Sequence, residues 1–168
     1  MMVDAVRLLL FPSLMAFAAS SDLLTMTISS RVSLALTAGF IALALITGMS
    51  TNEMLGHVGA GMLVLAITFC FFACGWIGGG DAKLAAATAL WLGFDHLLDY
   101  AVYASIFGGV LTLLMIRFRV MPLPERWAGQ AWLQRLHRSG GGVPYGIALA
   151  AAALVVYPDT PWMHALAL

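Results

Sequence analysis

Of the 168 residues, 62% are hydrophobic and only 10% are charged, giving a mean hydropathy of +0.95, whereas a soluble domain is roughly 45 to 50% apolar. Eight basic and eight acidic residues cancel to a formal charge of zero, which excludes the basic surface that a nucleic-acid partner requires. The apolar residues fall in long continuous runs and not in short alternating segments, which excludes a transmembrane barrel. At about 20 residues per crossing the chain has room for about six helices with short loops. It reads as an all-α integral membrane protein, a single domain over residues 1–168, with no separate soluble part.

At the N-terminus, Arg7, the run from Leu8 to Ala19 and the small residues Ala16, Ala18 and Ala19 have the layout of a cleavable signal. Asp4 offsets Arg7, however, and many further apolar runs follow, so the segment reads as a retained first span. It covers about Ala5 to Ser21 and delivers Asp22 at its end, before the mostly polar turn Thr25, Thr27, Ser29, Ser30 and Arg31. A second span covers about Val32 to Met49, and Ser50 to Glu53 form a short polar loop. A third span runs from about Leu55 to Ile77 into Gly78, Gly79 and Gly80, and Asp81 follows at once. Cys70 and Cys74 lie four residues apart within this span, a spacing that suits one helical face and reads as two buried small hydrophobes.

The fourth segment, about Ala82 to Phe94, is short for a full crossing and by length alone also fits a re-entrant segment; it becomes adequate if it extends through Asp95 and His96. A fifth span covers about Leu97 to Ile116. Its Gly108 and Gly109, with Gly56, Ala60, Gly61 and the alanines from Ala85 to Ala89, suit close contacts between helices in lipid. The one long polar stretch lies between Arg117 and Gly142. Wound as a helix, it places Gly129, Trp132, Leu133 and Leu136 on one arc and Arg126, Gln130, Gln134, Arg135, His137 and Arg138 on the other. That pattern fits an amphipathic helix in the membrane surface, or equally a loop helix packed on the bundle. The last span covers about Val143 to Tyr157.

Threading six crossings puts Arg31, Lys83, Arg117, Arg119, Arg126, Arg135 and Arg138 on one side and Arg7 on the other. The positive-inside rule makes the basic side cytoplasmic, with both termini outside. The same threading puts Asp4, Glu53, Asp95, Asp99 and Asp159 outside and only Asp22, Asp81 and Glu125 inside. Glu125 belongs to the wet, arginine-rich stretch, so Asp22 and Asp81 remain, each at the cytoplasmic mouth of a span and able to meet if the fourth segment crosses.

A charged side chain in hydrocarbon costs about 2.5 to 3.5 kcal/mol at a helix centre on insertion scales, so such residues mark function by default. Two carboxylates brought close in a low-dielectric site share a proton. The ionised member can then take a proton from water while the protonated one hydrogen-bonds a scissile carbonyl, which is peptide hydrolysis without metal or cofactor. Gly78, Gly79 and Gly80 leave a backbone that turns freely and that an extended peptide can approach. The plainer reading is that either aspartate merely caps a helix. Lys83 can hold substrate or tune Asp81, and also suits a snorkelling anchor. Asp95, His96 and Asp99 suit a solvated loop better than a metal site.

Gly78-Gly79-Gly80-Asp81 fits the GxGD motif of the prepilin peptidase family of membrane aspartic peptidases, and Ala82-Lys83 continues the pattern. The chain resembles in particular the short peptidases of tight adherence (Flp) pilus systems. In that family the first catalytic Asp closes the first helix and a segment ending Ile-Pro-Asn follows. Asp22 to Arg31 occupies that place, with Ser29 and Ser30 where Pro and Asn are usual. Serines also turn a chain and cap a helix. Gly140-Gly141-Gly142-Val143-Pro144-Tyr145-Gly146 is similar to the family's entry into its last helix.

The resemblance implies that Asp22 and Asp81 are catalytic, with Gly78, Gly79, Gly80 and Lys83 in the active-site loop. It implies removal of a positively charged prepilin leader, after a glycine, at the cytoplasmic face of the bacterial inner membrane, with pilus assembly proteins as further partners. Larger members also methylate the new N-terminus and carry a zinc-binding cysteine loop between the first two helices; this chain has no such loop, which implies a peptidase alone. Two readings from other classes stand beside it: a proton-coupled carrier and a non-catalytic subunit of a pilus or secretion assembly. Carriers place carboxylates near the midplane on broken helices and show repeated halves, neither of which is evident here.

Overall fold

The structure, a computed structural model, describes residues 2–124, 127, 129–138 and 140–164. Helix α1 spans Met2–Thr25, α2 Ser30–Thr47, α3 Thr51–Ala73, α4 Gly79–Leu92 and α5 Leu97–Val120. A short α6, Ala131–His137, precedes α7, Tyr145–Val156, and the chain closes with a 3-10 turn, Tyr157–Asp159, and α8, Pro161–His164. No strand occurs among the described residues. α1, α2, α3 and α5 are long and apolar enough to cross a membrane.

Local chemistry sets the helix ends. Ser29 accepts a hydrogen bond from the Arg31 N–H and caps α2, so a serine does start the second helix as expected. Ser50 and Glu53 cap α3 reciprocally, and Gly48 closes α2 in the left-handed conformation, at φ 68°.

α4 is the axis of the bundle. At 14 residues it is about 21 Å long, short of the roughly 30 Å hydrocarbon core, yet it runs antiparallel beside α3 between the two ends of the molecule. Thr68 Oγ1 donates to the Ala82 carbonyl at 3.4 Å near one end, and the His57 ring lies 2.9 Å from the Leu90 carbonyl near the other. Every residue from Leu84 to Leu92 is buried. Because neighbouring helices cover most of α4, its length need not match the bilayer. The fourth segment therefore reaches the far end of the bundle without Asp95 and His96.

α7 is likewise antiparallel to α1: the Gly146 N–H meets Asp22 at one end, and Tyr157 Oη donates to the Arg7 carbonyl at 2.7 Å at the other. The end away from Asp22 is fastened by an aromatic cluster. Trp91, fully buried, donates from Nε1 to the Leu36 carbonyl, and Trp162 donates to the Trp91 carbonyl, both at 2.9 Å. Phe11 stacks on Tyr157 at a centroid distance of 4.4 Å. Such pairs add about 0.5 to 1.5 kcal/mol each beyond their buried area.

Several expected boundaries shift. α1 continues to Thr25, so Asp22 lies inside the helix, one turn before its end, rather than after it. Beyond the end of α5, the described part of the polar stretch forms α6, with Leu136 buried and Trp132 half-buried; Glu125 and Arg126 lie outside the described residues. Cys70 and Cys74 are exposed free thiols, not buried ones. α3 is apolar on all sides and packs chiefly on α4, so the rest of its surface faces hydrocarbon. Of the glycines expected at helix contacts, Gly61 abuts Leu90 and Gly108 abuts Tyr145, whereas Gly56 and Gly109 have open space around them.

Candidate active site

Asp22 and Asp81 come from different helices to the same end of the bundle. Asp22 is 4% exposed, and its Oδ2 accepts the Gly146 N–H at 2.7 Å. Gly146 is the second residue of α7, where a backbone N–H has no partner within its own helix. The carboxylate thus sits on the positive end of α7. Asp81 is the third residue of α4, and its Oδ2 accepts the Gly78 N–H at 3.2 Å, half of a capping box. Each aspartate caps a helix N-terminus.

The turn between α1 and α2 closes the space beside this pair. Met26 leaves the helix at φ 56°, Ser21 Oγ donates to the Thr27 carbonyl at 3.0 Å, and Ile28 is carried inward. A Cβ on Gly80 would lie 3.1 Å from Ile28 Cβ and from its carbonyl oxygen. A Cβ on Gly146 would lie 2.6 Å from Ile28 Cδ1 and 2.8 Å from Asp22 Oδ2. Ile28 is therefore wedged between the two glycines that flank the aspartates.

The triple glycine works through close approach rather than unusual backbone angles. A Cβ on Gly78 would meet Asp81 Oδ2 at 2.8 Å, and one on Gly79 would meet the Phe72 ring at 3.3 Å. The reversal itself falls to Gly75, at φ 76°. Lys83 turns away from Asp81: its Nζ donates to Ser30 Oγ at 2.9 Å, on the side of α4 that faces α2. Asp95, His96 and Asp99 lie at the opposite end of the bundle, and among the described residues no cluster of three metal-ligating side chains occurs.

Sequence pattern alone does not mark Gly146 or Ile28 as site residues. For Gly146 the available signal is a glycine just inside a helix entry that follows Pro144. For Ile28 it is the position just before Ser29 and Ser30, where the resembling segment ends Ile-Pro-Asn.

A multi-pass helical membrane protein with two carboxylates sharing one end of the bundle narrows the class to proteins that handle protons or peptides at the membrane surface. The model of the type IV leader peptidase family matches residues 9–113, more than half the chain, including Asp22 and the stretch from Gly78 to Lys83. The chain belongs to that family: it is a membrane-embedded protease of the prepilin leader peptidase kind. Comparison with curated proteins gave no match, and comparison with solved structures gave none.

Proposed function

We propose that the protein is an aspartic endopeptidase that removes the leader from a prepilin of the tight adherence (Flp) type at the cytoplasmic face of the bacterial inner membrane, with Asp22 and Asp81 as its catalytic pair. The observation that carries this reading is the convergence of two aspartates from α1 and α4 on the end of the bundle that also holds Arg31, Lys83, Arg117, Arg119, Arg135 and Arg138. That end faces the cytoplasm under the positive-inside rule.

In the proposed reaction the substrate backbone lies along the Gly78–Gly80 rim with a water between the carboxylates. The ionised aspartate takes a proton from the water as its oxygen attacks the scissile carbonyl, and the protonated one donates to the carbonyl oxygen. The tetrahedral intermediate then collapses, the C–N bond breaks, and a proton passes to the departing amine. No cofactor enters the scheme. The pair must leave its capping contacts at least in part, and such contacts commonly rearrange when substrate arrives.

Capping offers a purely structural role for the same residues, and asparagine separates the two. Asn accepts the same N–H bond and caps a helix about as well as Asp, but it cannot exchange a proton. Asp22→Asn and Asp81→Asn, each reconstituted with a prepilin in proteoliposomes, are expected to fold and to lose leader removal by at least about 100-fold. Processing that survives either change takes that residue out of the catalytic pair.

A further inference from the structure

α2 and α3 each pack on α4 but scarcely on each other. A groove of about 520 Å³ opens between them. Leu34 and Ile41 of α2 and Met62 and Leu65 of α3 form its walls, and Ala86 and Ala87 of α4 its floor. All four wall residues are exposed, from 38% for Leu65 to 67% for Leu34, so the groove opens sideways into hydrocarbon.

Apart from Thr37, whose hydroxyl donates to the Ser33 carbonyl, its polar groups lie toward one end. Lys83 and Ser30 line the mouth on the side of the aspartates, and Lys83 forms no ion pair among the described residues, only the bond to the Ser30 hydroxyl. Ser30 Oγ accepts that bond and keeps its own proton to donate. Next along α2, Ser33 lines the groove and is 8% exposed, and its hydroxyl has no hydrogen-bond partner among the described residues. A buried hydroxyl left unpaired is costly, so whatever fills the groove should bring an acceptor to that depth.

Length decides what kind of molecule that is. The lining covers twelve residues on each wall, Ser30 to Ile41 of α2 and Met54 to Leu65 of α3, a rise of about 16 Å along each helix, which is close to one leaflet of a hydrocarbon core about 30 Å thick. A crossing peptide helix would need the full thickness and a width of about 10 Å. We propose that the groove binds one glycerophospholipid of the leaflet on the aspartates' side. Its phosphate rests on Lys83 and Ser30, an ester carbonyl accepts from Ser33 Oγ, and an acyl chain lies over Ala86 and Ala87. This holds whatever chemistry the aspartates perform.

The test uses the full chain in mild detergent, loaded with palmitoyl-oleoyl phosphatidylglycerol, washed, and read by native mass spectrometry. One lipid per chain should survive washing, and inorganic phosphate alone should give no adduct. Lys83→Gln should lower retention about fivefold, as expected for one basic group at an anionic surface. Thr37→Phe, which fills the acyl portion from α2, should abolish it. If Thr37→Phe fails to fold, Lys83→Gln still decides. Equal lipid counts in the wild type and Lys83→Gln would overturn the proposal, as would retention of phosphate by itself. Displacement of the lipid by the apolar segment of a prepilin would assign the groove to substrate instead.

Discussion

At Gly146 a single added carbon tests whether the surroundings of Asp22 are tight. It would meet Asp22 Oδ2 and Ile28 Cδ1 at 2.8 and 2.6 Å, so either the carboxylate leaves the helix end or Ile28 is forced out. Gly146→Ala is expected to lower prepilin processing by at least about tenfold, since a shift near 1 Å at a reacting group can cost about 100-fold. It should also destabilise the fold by about 1 to 3 kcal/mol, the usual cost of overpacking. Gly109→Ala is the matched control: nothing lies within 4 Å of its added carbon, so activity should stay and helix stability should rise by up to about 1 kcal/mol. Processing in proteoliposomes and thermal unfolding in detergent read both variants. Asp22 and Asp81 are legible in the sequence because a carboxylate beside long apolar runs stands out on cost alone. Gly146 and Ile28 are not, because what matters about them is contact across more than a hundred residues of chain, which no local pattern records.

Among the elements, the span from α5 to α7 is where local pattern and tertiary structure part most. Amphipathic spacing over the polar stretch is real, and among its described residues α6 is held by arginines bonded to carbonyls. Arg119 donates from Nε to the Leu136 carbonyl at 2.9 Å and from Nη2 to the Gly142 carbonyl at 2.6 Å, while Arg135 donates to the Leu24 carbonyl of α1 at 2.9 Å. These bonds strap α6 across the end of α1 and set where α7 begins, three residues beyond Gly142. Hydrogen bonds to a charged group contribute about 1.5 to 3 kcal/mol. Arg119→Ala should therefore leave the bundle folded but open the strap, accelerating tryptic cleavage after Arg135 and Arg138 about tenfold or more. An unchanged cleavage rate would mean that α6 is held by burial of Leu136 rather than by Arg119. The short α4 shows the opposite case. Its apolar run is visible in the sequence, but length alone leaves a crossing open, and its burial from Leu84 to Leu92 among the other helices explains why 14 residues suffice.

For the molecule as a whole, the six antiparallel passes and the gathering of basic residues at one end make orientation the claim on which a cytoplasmic leader peptidase rests. Charge alone carries this expectation, because the bias survives errors of a few residues in each boundary. The two native cysteines allow a direct check. Cys74 caps the C-terminal end of α3, exposed and beside the turn that leads to Asp81. Asn52, in the first turn of α3, marks the other end. With Cys70 replaced by Ala, a membrane-impermeant maleimide should label Cys74 in inside-out vesicles and not in right-side-out ones. Asn52→Cys, in a chain lacking both native thiols, should show the reverse. Labelling of both sites from one face would deny that α3 crosses. Labelling of Cys74 from the outer face would place Asp22 and Asp81 beyond reach of a leader that is still in the cytoplasm, and the proposed substrate would go with it.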